Sequence, residues 1–419
     1  MPEVSEVAHV CALLRRNVLG YKIAKVNLHN DNLLFPALKN ATDPEGELQK
    51  LTNNLTNSVI DSIGRHGKYF WIRLKLANEP KKTGVFLMHF GMTGMIKIKN
   101  VKSHMIFMES GGDVKVLDKL NKAKETGTES KYFKKEETEE EVVEEEEEEV
   151  VTEWPPRFSK MELVLEKDDS KLDLAFIDAR RLGRIRLLLG DEYQTNESLL
   201  TQSPLNALGP DYSKPLAYDA KKDKEFIWGD PAPDNYGRPI LPLVDFNQLI
   251  LKKKVPIKSL LLDQAYFAGI GNWVGDEVCY NARIHPTEVI SNKIVSNDDK
   301  TIIDPIIERL YNSIIYVCQY SVKVEGEVTK FPNDWLMIFR WGKARKKGPK
   351  VKTSEGYGVD YVTIGGRTSC FVPDLQKPLK KQVKEESETS GGGSDSKRKR
   401  GDATSKSPAK RTSKRVKKE

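Results

Sequence analysis

Two runs of uniform charge limit what this chain can fold into. Between Glu136 and Glu149 stand eleven carboxylates and no base, and from Lys397 to Glu419 eleven Lys and Arg face only two acids. Neither run holds enough apolar side chains to offset the entropy of ordering it, so both are expected to be disordered. Low complexity spreads around the first from about Gly111 to Glu153, and Ser, Gly and Lys dominate from Gln376 to the second. The foldable part is therefore two blocks separated by a loop insertion. The formal net charge is +7, and with both runs set aside the remainder is still basic, which favours a polyanionic partner.

At 419 residues the chain has room for two or three domains. It has no run of about 18 apolar residues, and its first residues lack the basic and apolar regions of a signal peptide. A soluble intracellular protein without membrane contact is expected. Cys11, Cys279, Cys318 and Cys370 are far apart and form no C-x-x-C pair. Neither a disulfide framework nor a sulfur-rich zinc site follows, so the cysteines are expected as small buried residues, with no metal and no cofactor.

The chain opens Met1-Pro2-Glu3-Val4-Ser5-Glu6. The apolar positions Val4, Val7, Ala8, Cys11, Leu14 and Val18 keep helical spacing, and Gly20 stands where that helix should stop. Removal of the initiator Met, which a small second residue allows, turns Pro2 into a secondary amine at the helix N-terminus. An α-amino group has a pKa of about 7.7–8.0 against about 10.4 for Lys, so a useful fraction is unprotonated near neutral pH. Attack of a secondary amine on an aldehyde-like carbon gives an iminium that is already cationic and withdraws electrons. Glu3 and Glu6 are near enough in sequence to serve proton transfers. Equally, acids in a first turn complement the helix macrodipole.

Short β-like runs follow at 23–28, 59–63, 69–76 and 85–88, and again at 160–166 and 172–177, an antiparallel sandwich behind the first helix. Leu208-Gly209-Pro210-Asp211 reads as a hinge, and an irregular segment rich in Pro, Asp and Lys extends to about Pro242. Helical patterns resume near Val244, with a long helix over roughly 300–321. Strands at 360–364 and 370–373 around Gly365-Gly366-Arg367 read as a hairpin with Arg367 at or near its tip.

Five stretches carry more than folding information. Arg65-His66-Gly67-Lys68-Tyr69 sets two cations and a His around a glycine before a strand, either a phosphate-facing turn or a solvated basic one. In His89-Phe90-Gly91-Met92-Thr93-Gly94, two glycines bracket Met92, which is either a core residue or a flexible wedge at a turn tip. Asp178-Ala179-Arg180-Arg181-Leu182-Gly183-Arg184 is a surface ion-pair cluster or a DNA-contacting turn. Ala268-Gly269-Ile270-Gly271-Asn272 precedes a helix whose backbone N–H groups suit a phosphate. The hairpin with Arg367 is the fifth.

In this order the stretches resemble the Fpg/Nei family of DNA glycosylases, and within it the fungal and plant formamidopyrimidine-DNA glycosylases, over residues 2–377 with insertions near 111–155 and 213–243. The resemblance implies that Pro2 attacks C1′ of a damaged nucleotide, that Glu3 handles protons and that Lys68 contacts substrate and phosphate. It also implies DNA contacts for Glu6 and His89. Met92 would fill the gap left by the flipped base, and Arg180 would face the orphaned base. Residues 257–286 look like the helix-two-turn-helix motif, with Lys258 on DNA and Asn272 on phosphate. Arg367 would grip the backbone beside the lesion from a zincless finger. Ser5 stands where many relatives have Pro, Leu182 where bacterial relatives often have an intercalating Phe, and 322–334 is short for a loop that covers 8-oxoguanine.

The expected fold class is α+β, an N-terminal antiparallel β-sandwich with an N-terminal helix, then a helix-two-turn-helix domain with a zincless β-hairpin finger. The expected boundaries are 2–212, 213–335, 336–376 and a basic tail, 377–419. The expected function is a monomeric, bifunctional glycosylase and abasic-site lyase that removes oxidised bases from duplex DNA by β,δ-elimination. A non-catalytic DNA or chromatin binder of the same fold is the alternative. Lys397-Arg398-Lys399-Arg400 and the basic stretch from Arg411 resemble a bipartite nuclear localisation signal, so the nucleus is the expected compartment.

Overall fold

The helix anticipated behind Pro2 forms as α1 (Val4–Val18), and it joins two hydrophobic cores. Val7, Cys11, Leu14 and Val18 enter the core of a β-sandwich, while Val4 and Ala8 enter that of a helical domain. The computed structural model describes residues 2–79, 82–104, 153–215, 234–295, 299, 301–340 and 351–382. These all belong to one compact unit, Met1–Gln382. The acidic run, the middle of the second insertion and residues 383–419 lie outside the described residues, whereas 377–382 are bonded to the helical domain, Leu379 N donating to Glu288 Oε1 at 3.1 Å and Gln382 N to Lys293 O at 2.8 Å.

The sandwich is built from β1 (Lys22–Leu28), β2 (Val59–His66), β3 (Tyr69–Lys75), β4 (Thr83–His89), β5 (Met95–Ile98), β6 (Ser159–Lys167), β7 (Ser170–Ile177) and β8 (Arg184–Leu188). They form an antiparallel sheet in the order β5-β7-β6-β1-β2-β3-β4-β8. β1 and β2 share one registered pair, Lys22↔Val59, and there the sheet folds into two halves. The period-two side chains Met161, Leu163 and Leu165 from one half meet Ile63, Phe70, Ile72 and Phe86 from the other. Trp71, Val85 and Leu87 point to the outer face, where a short helix, α3 (Asn196–Leu200), and Leu205 cover them.

Three elements escape sequence patterning. α2 (Pro44–Leu55) is capped by Asp43, whose carboxylate accepts from Gly46 N at 2.9 Å, but it buries only Leu48 and Leu55. β5 is four residues long, and β8 is five residues long and starts on Arg184, the last residue of the basic 178–184 stretch.

The helical domain holds α4 (Leu243–Lys252), α5 (Ile257–Leu261), α6 (Asn272–Asn281) and α7 (Pro305–Lys323), followed by the hairpin β9 (Asp360–Ile364) and β10 (Arg367–Phe371). β10 begins at Arg367, three residues before the expected strand, because Gly365 and Gly366 have φ of +56° and +76° and make a two-residue turn. Leu208–Asp211 is not a hinge. Gly209 N donates to Gln264 O at 2.8 Å, Pro210 O accepts from Ala268 N at 3.0 Å, and Asp211 is wholly buried.

Candidate active site

Pro2 and Glu3 lie buried where the start of α1 meets the start of α6. A helix N-terminus presents unpaired N–H groups and partial positive charge. At α6 a carboxylate from α1 fills that position: Glu3 Oε1 accepts from Trp273 N at 2.9 Å and Oε2 from Val274 N at 3.1 Å. The anion site read from the glycine-rich turn is therefore occupied by Glu3 and not left open for phosphate. Gly271 makes this approach possible, since a Cβ there would stand 2.2 Å from Glu3 Cδ. The turn is anchored to α1 by Val4 N, which donates to Gly269 O at 3.2 Å.

Glu6 completes the corner. Its Oε2 accepts from Glu3 N at 2.9 Å and from the Ser5 hydroxyl at 3.0 Å, and its Oε1 accepts from the Trp273 indole at 3.0 Å. Burial, then the neighbouring Glu3, pushes the Glu6 carboxyl above the usual carboxylate range. Its contacts are all internal, so it braces Glu3 in this structure.

Lys68 is buried at the β2–β3 turn. Burial lowers its ammonium pKa; Glu3 and Glu6 oppose that, while Arg367 and Lys258 reinforce it. Lys68 is thus electrostatically coupled to the carboxylates of α1 and to the finger arginine, which is exposed at the first position of β10. His89 lies against Tyr69 with ring centroids 4.7 Å apart, and its Nδ1 accepts from Gly91 N at 3.0 Å. Burial, with Lys68, Arg184 and Arg186, brings its pKa down to about 4, so the ring is neutral near pH 7.

Met92 is half-buried on the β4–β5 turn and belongs to none of the buried cores. The turn sits against the β7–β8 loop so closely that a Cβ on Gly91 would meet Leu182 O at 2.3 Å. Buried Asp178 organises both: its Oδ1 accepts from the Thr93 hydroxyl at 2.6 Å and from Arg180 N at 3.1 Å, and its Oδ2 from Gly183 N at 2.7 Å. The turn that carries Met92 and the loop that carries the exposed Arg180 are thereby joined, Arg180 N also donating to the Thr93 hydroxyl at 3.3 Å.

Two residues of the helix-two-turn-helix have partners inside the protein. Lys258 is wholly buried, and its ammonium bonds the Asn272 carbonyl and Asp276 Oδ1, so it does not reach a DNA surface in this structure. The Asn272 amide nitrogen donates to Thr368 O at 2.9 Å, so it ties α6 to the finger. Asp276, missed from sequence, is the centre of this joint: its Oδ2 accepts from Arg340 at 2.9 Å and from Cys370 N at 3.1 Å. An acid within an apolar helix was the available signal. Gln376 adds a second tie, accepting from Val372 N at 2.7 Å and donating to Ile284 O at 2.9 Å.

The 65–69 stretch divides. Arg65 is buried and pairs with Asp211 at 2.7 Å, and Gly67 N donates to the same carboxylate at 2.8 Å. His66 Nε2 faces Gly209 O at 2.8 Å, and burial lowers its pKa to about 4. Of this stretch only Lys68 faces the Glu3 corner; Arg65 and His66 weld the sandwich to the 209–214 connector. Among the described residues no group of three or more His, Cys, Asp or Glu is placed to hold a metal.

Comparison with known proteins adds the family. Residues 1–185 match the model of the formamidopyrimidine-DNA glycosylase N-terminal domain, and residues 241–332 match that of the formamidopyrimidine-DNA glycosylase H2TH domain. A formamidopyrimidine-DNA glycosylase of Arabidopsis thaliana is 29% identical over 378 residues, covering 90% of this chain and 71% of its own. The solved structure of MutM in complex with carbocyclic 8-oxo-G containing DNA aligns with a TM-score of 0.55 at 18% identity, over 90% of this chain and 100% of the other. Lactococcus lactis Fpg with abasic-site DNA gives 0.54 at 17%, over 90% and 99%. Those alignments show the two-domain fold of a β-sandwich and a helical domain. The chain belongs to the formamidopyrimidine-DNA glycosylase family.

Proposed function

We propose that this protein is a bifunctional DNA glycosylase and abasic-site lyase of base excision repair, acting on oxidised bases such as formamidopyrimidines, hydantoins and 8-oxoguanine in duplex DNA. The observation that carries the reading is the corner at α1: a residue with amine potential, Pro2, followed by a buried carboxylate whose two oxygens are fixed by the first turn of α6. A binding module has no need of that arrangement.

The chemistry starts from a flipped nucleotide. The unprotonated Pro2 nitrogen forms a bond to C1′ as the damaged base leaves with the glycosidic electron pair, and the proton that Pro2 then sheds passes through the Glu3 carboxylate to the ring oxygen as the sugar opens. The resulting iminium acidifies the C2′ hydrogens, loss of one drives elimination of the 3′ phosphate, and a further elimination releases the 5′ phosphate. Lys68 stands beside the same carboxylates with a lowered pKa, suited to a contact with substrate. Met92 fills the vacated stack, Arg180 faces the orphaned base, and Arg367 holds the backbone.

Borohydride tests this directly. Reduction should trap a covalent complex between Pro2 and abasic DNA, and retained Met1 should abolish it while leaving DNA binding. No complex with mature protein overturns the assignment. Glu3→Gln should lose base excision far more than lyase action on preformed abasic sites.

We further propose the fungal and plant type with a zincless finger, a reading supported by the Arabidopsis relative and by the Asp276 and Gln376 ties that hold the hairpin. The basic tail supports a nuclear location. Deletion of 377–419 should shift a fluorescent fusion toward the cytoplasm; unchanged nuclear accumulation would remove that proposal.

A further inference from the structure

Beside the Asp178 loop lies an apolar surface to which none of the steps above assigns a role. Phe158, Leu33 and Leu182 are 48%, 45% and 40% exposed, three of the few large apolar side chains so open to solvent. Isolated exposed side chains are ordinary, but these belong to segments bonded to one another. Phe158 O accepts from Asp178 N at 3.1 Å, and Ile185 N donates to Leu34 O at 2.8 Å. Arg181 reaches across to Asp31 with two bonds of 2.7 and 3.0 Å, and Lys160 stands 3.6 Å from the same carboxylate.

Phe158 is also held in an unfavourable backbone conformation. Its φ is +65°, a region that bulky side chains rarely enter, and such strain persists only where the surroundings impose it. The bonds from Asp178 N to Phe158 O and from Ser159 N to Pro156 O impose it here. The consequence is a ring turned out of the sandwich, with the Arg157 guanidinium 4.6 Å from its centroid. The neighbouring carboxylates are already engaged, Asp31 by Arg181 and Lys160, Asp178 by Thr93 and two backbone N–H groups. What the patch offers outward is an aromatic face among exposed cations.

We propose that Phe158, backed by Arg157, is a stacking platform for the strand opposite the lesion and contributes to opposite-base preference. The inference rests on the glycosylase reading, and its chemistry is that of an unstacked base on an aromatic ring beside a phosphate-binding arginine. Phe158 immediately precedes β6, two residues before Lys160, and its carbonyl accepts from Asp178 N in the loop that carries Arg180. It is therefore continuous with the Met92–Arg180 element. Leu182 is a weak stacking partner in that element, and Phe158 supplies the aromatic ring.

The test uses the full chain with its mature N-terminus. Phe158→Asn keeps a residue that tolerates positive φ and removes the ring; Phe158→Trp restores one. Affinity is measured for duplexes carrying a tetrahydrofuran abasic analogue opposite each of the four bases, across a salt series. Loss of one base–aromatic stack should weaken binding of the Asn variant about tenfold and flatten its opposite-base profile, with the salt slope unchanged. Phe158→Trp should recover both, and Arg157→Ala should lower the salt slope by about one. Parental affinity and profile in Phe158→Asn would overturn the proposal, as would a loss that Trp does not repair. Borohydride trapping of the parent on abasic DNA, run in parallel, reports separately on the glycosylase reading.

Discussion

Gly271→Ala tests the corner that holds Glu3. The glycine has φ −123°, an ordinary extended value, so alanine suffers no backbone strain and any effect comes from its Cβ. That atom would stand 2.2 Å from Glu3 Cδ and 2.5 Å from both carboxylate oxygens, where real contacts do not fall under 3.0 Å. Glu3 must retreat by about 1 Å, and a misplacement of that size in a reacting group costs about 10²-fold in rate. The bonds to Trp273 N and Val274 N lengthen or break at the same time. Single-turnover excision from formamidopyrimidine duplex should therefore fall about 10²-fold, whereas trapping on preformed abasic DNA, whose sugar opens without enzyme, should fall less than about tenfold. Gly358→Ala, with nothing within 4 Å of its Cβ, is the neutral control. Excision at the parental rate in a folded Gly271→Ala protein would refute the reasoning, and equal losses in both assays would show that Glu3 acts only as a structural brace.

Asp211→Asn should lower stability by about 3–5 kcal/mol, because it leaves the wholly buried Arg65 guanidinium without its counter-charge, and thermal unfolding reads this directly. Glu277 is buried with its pKa pushed up to about 8, burial being the main cause. Its native state therefore holds a proton that the unfolded chain releases near 4.5, so its contribution is full below 4.5 and declines as pH rises toward about 8. Relative to parent, Glu277→Gln should become progressively more stable from pH 5 to pH 8; parallel stability curves would count against the assignment. Chelator treatment should leave unfolding temperature and excision unchanged, and stoichiometric zinc in purified protein would contradict this.

Local chemistry made much of this protein legible in the sequence. The α1 spacing, the alternating apolar residues of the sandwich and the paired glycines before Arg367 are each satisfied within a few residues, so they read directly. The same holds for the order of motifs that marks the family. Contacts between residues distant in the chain were not legible. No local signal places Glu3 on the first turn of α6, sends Arg65 inward to Asp211 or turns Lys258 onto Asp276. A Lys or Arg has the same sequence signature whether it meets phosphate or a buried carboxylate, and only tertiary burial decides, because an unpaired charge cannot remain inside. The sequence determined which groups exist and which short elements carry them. The tertiary structure decided which of those groups cancel one another in the interior and which are left for DNA.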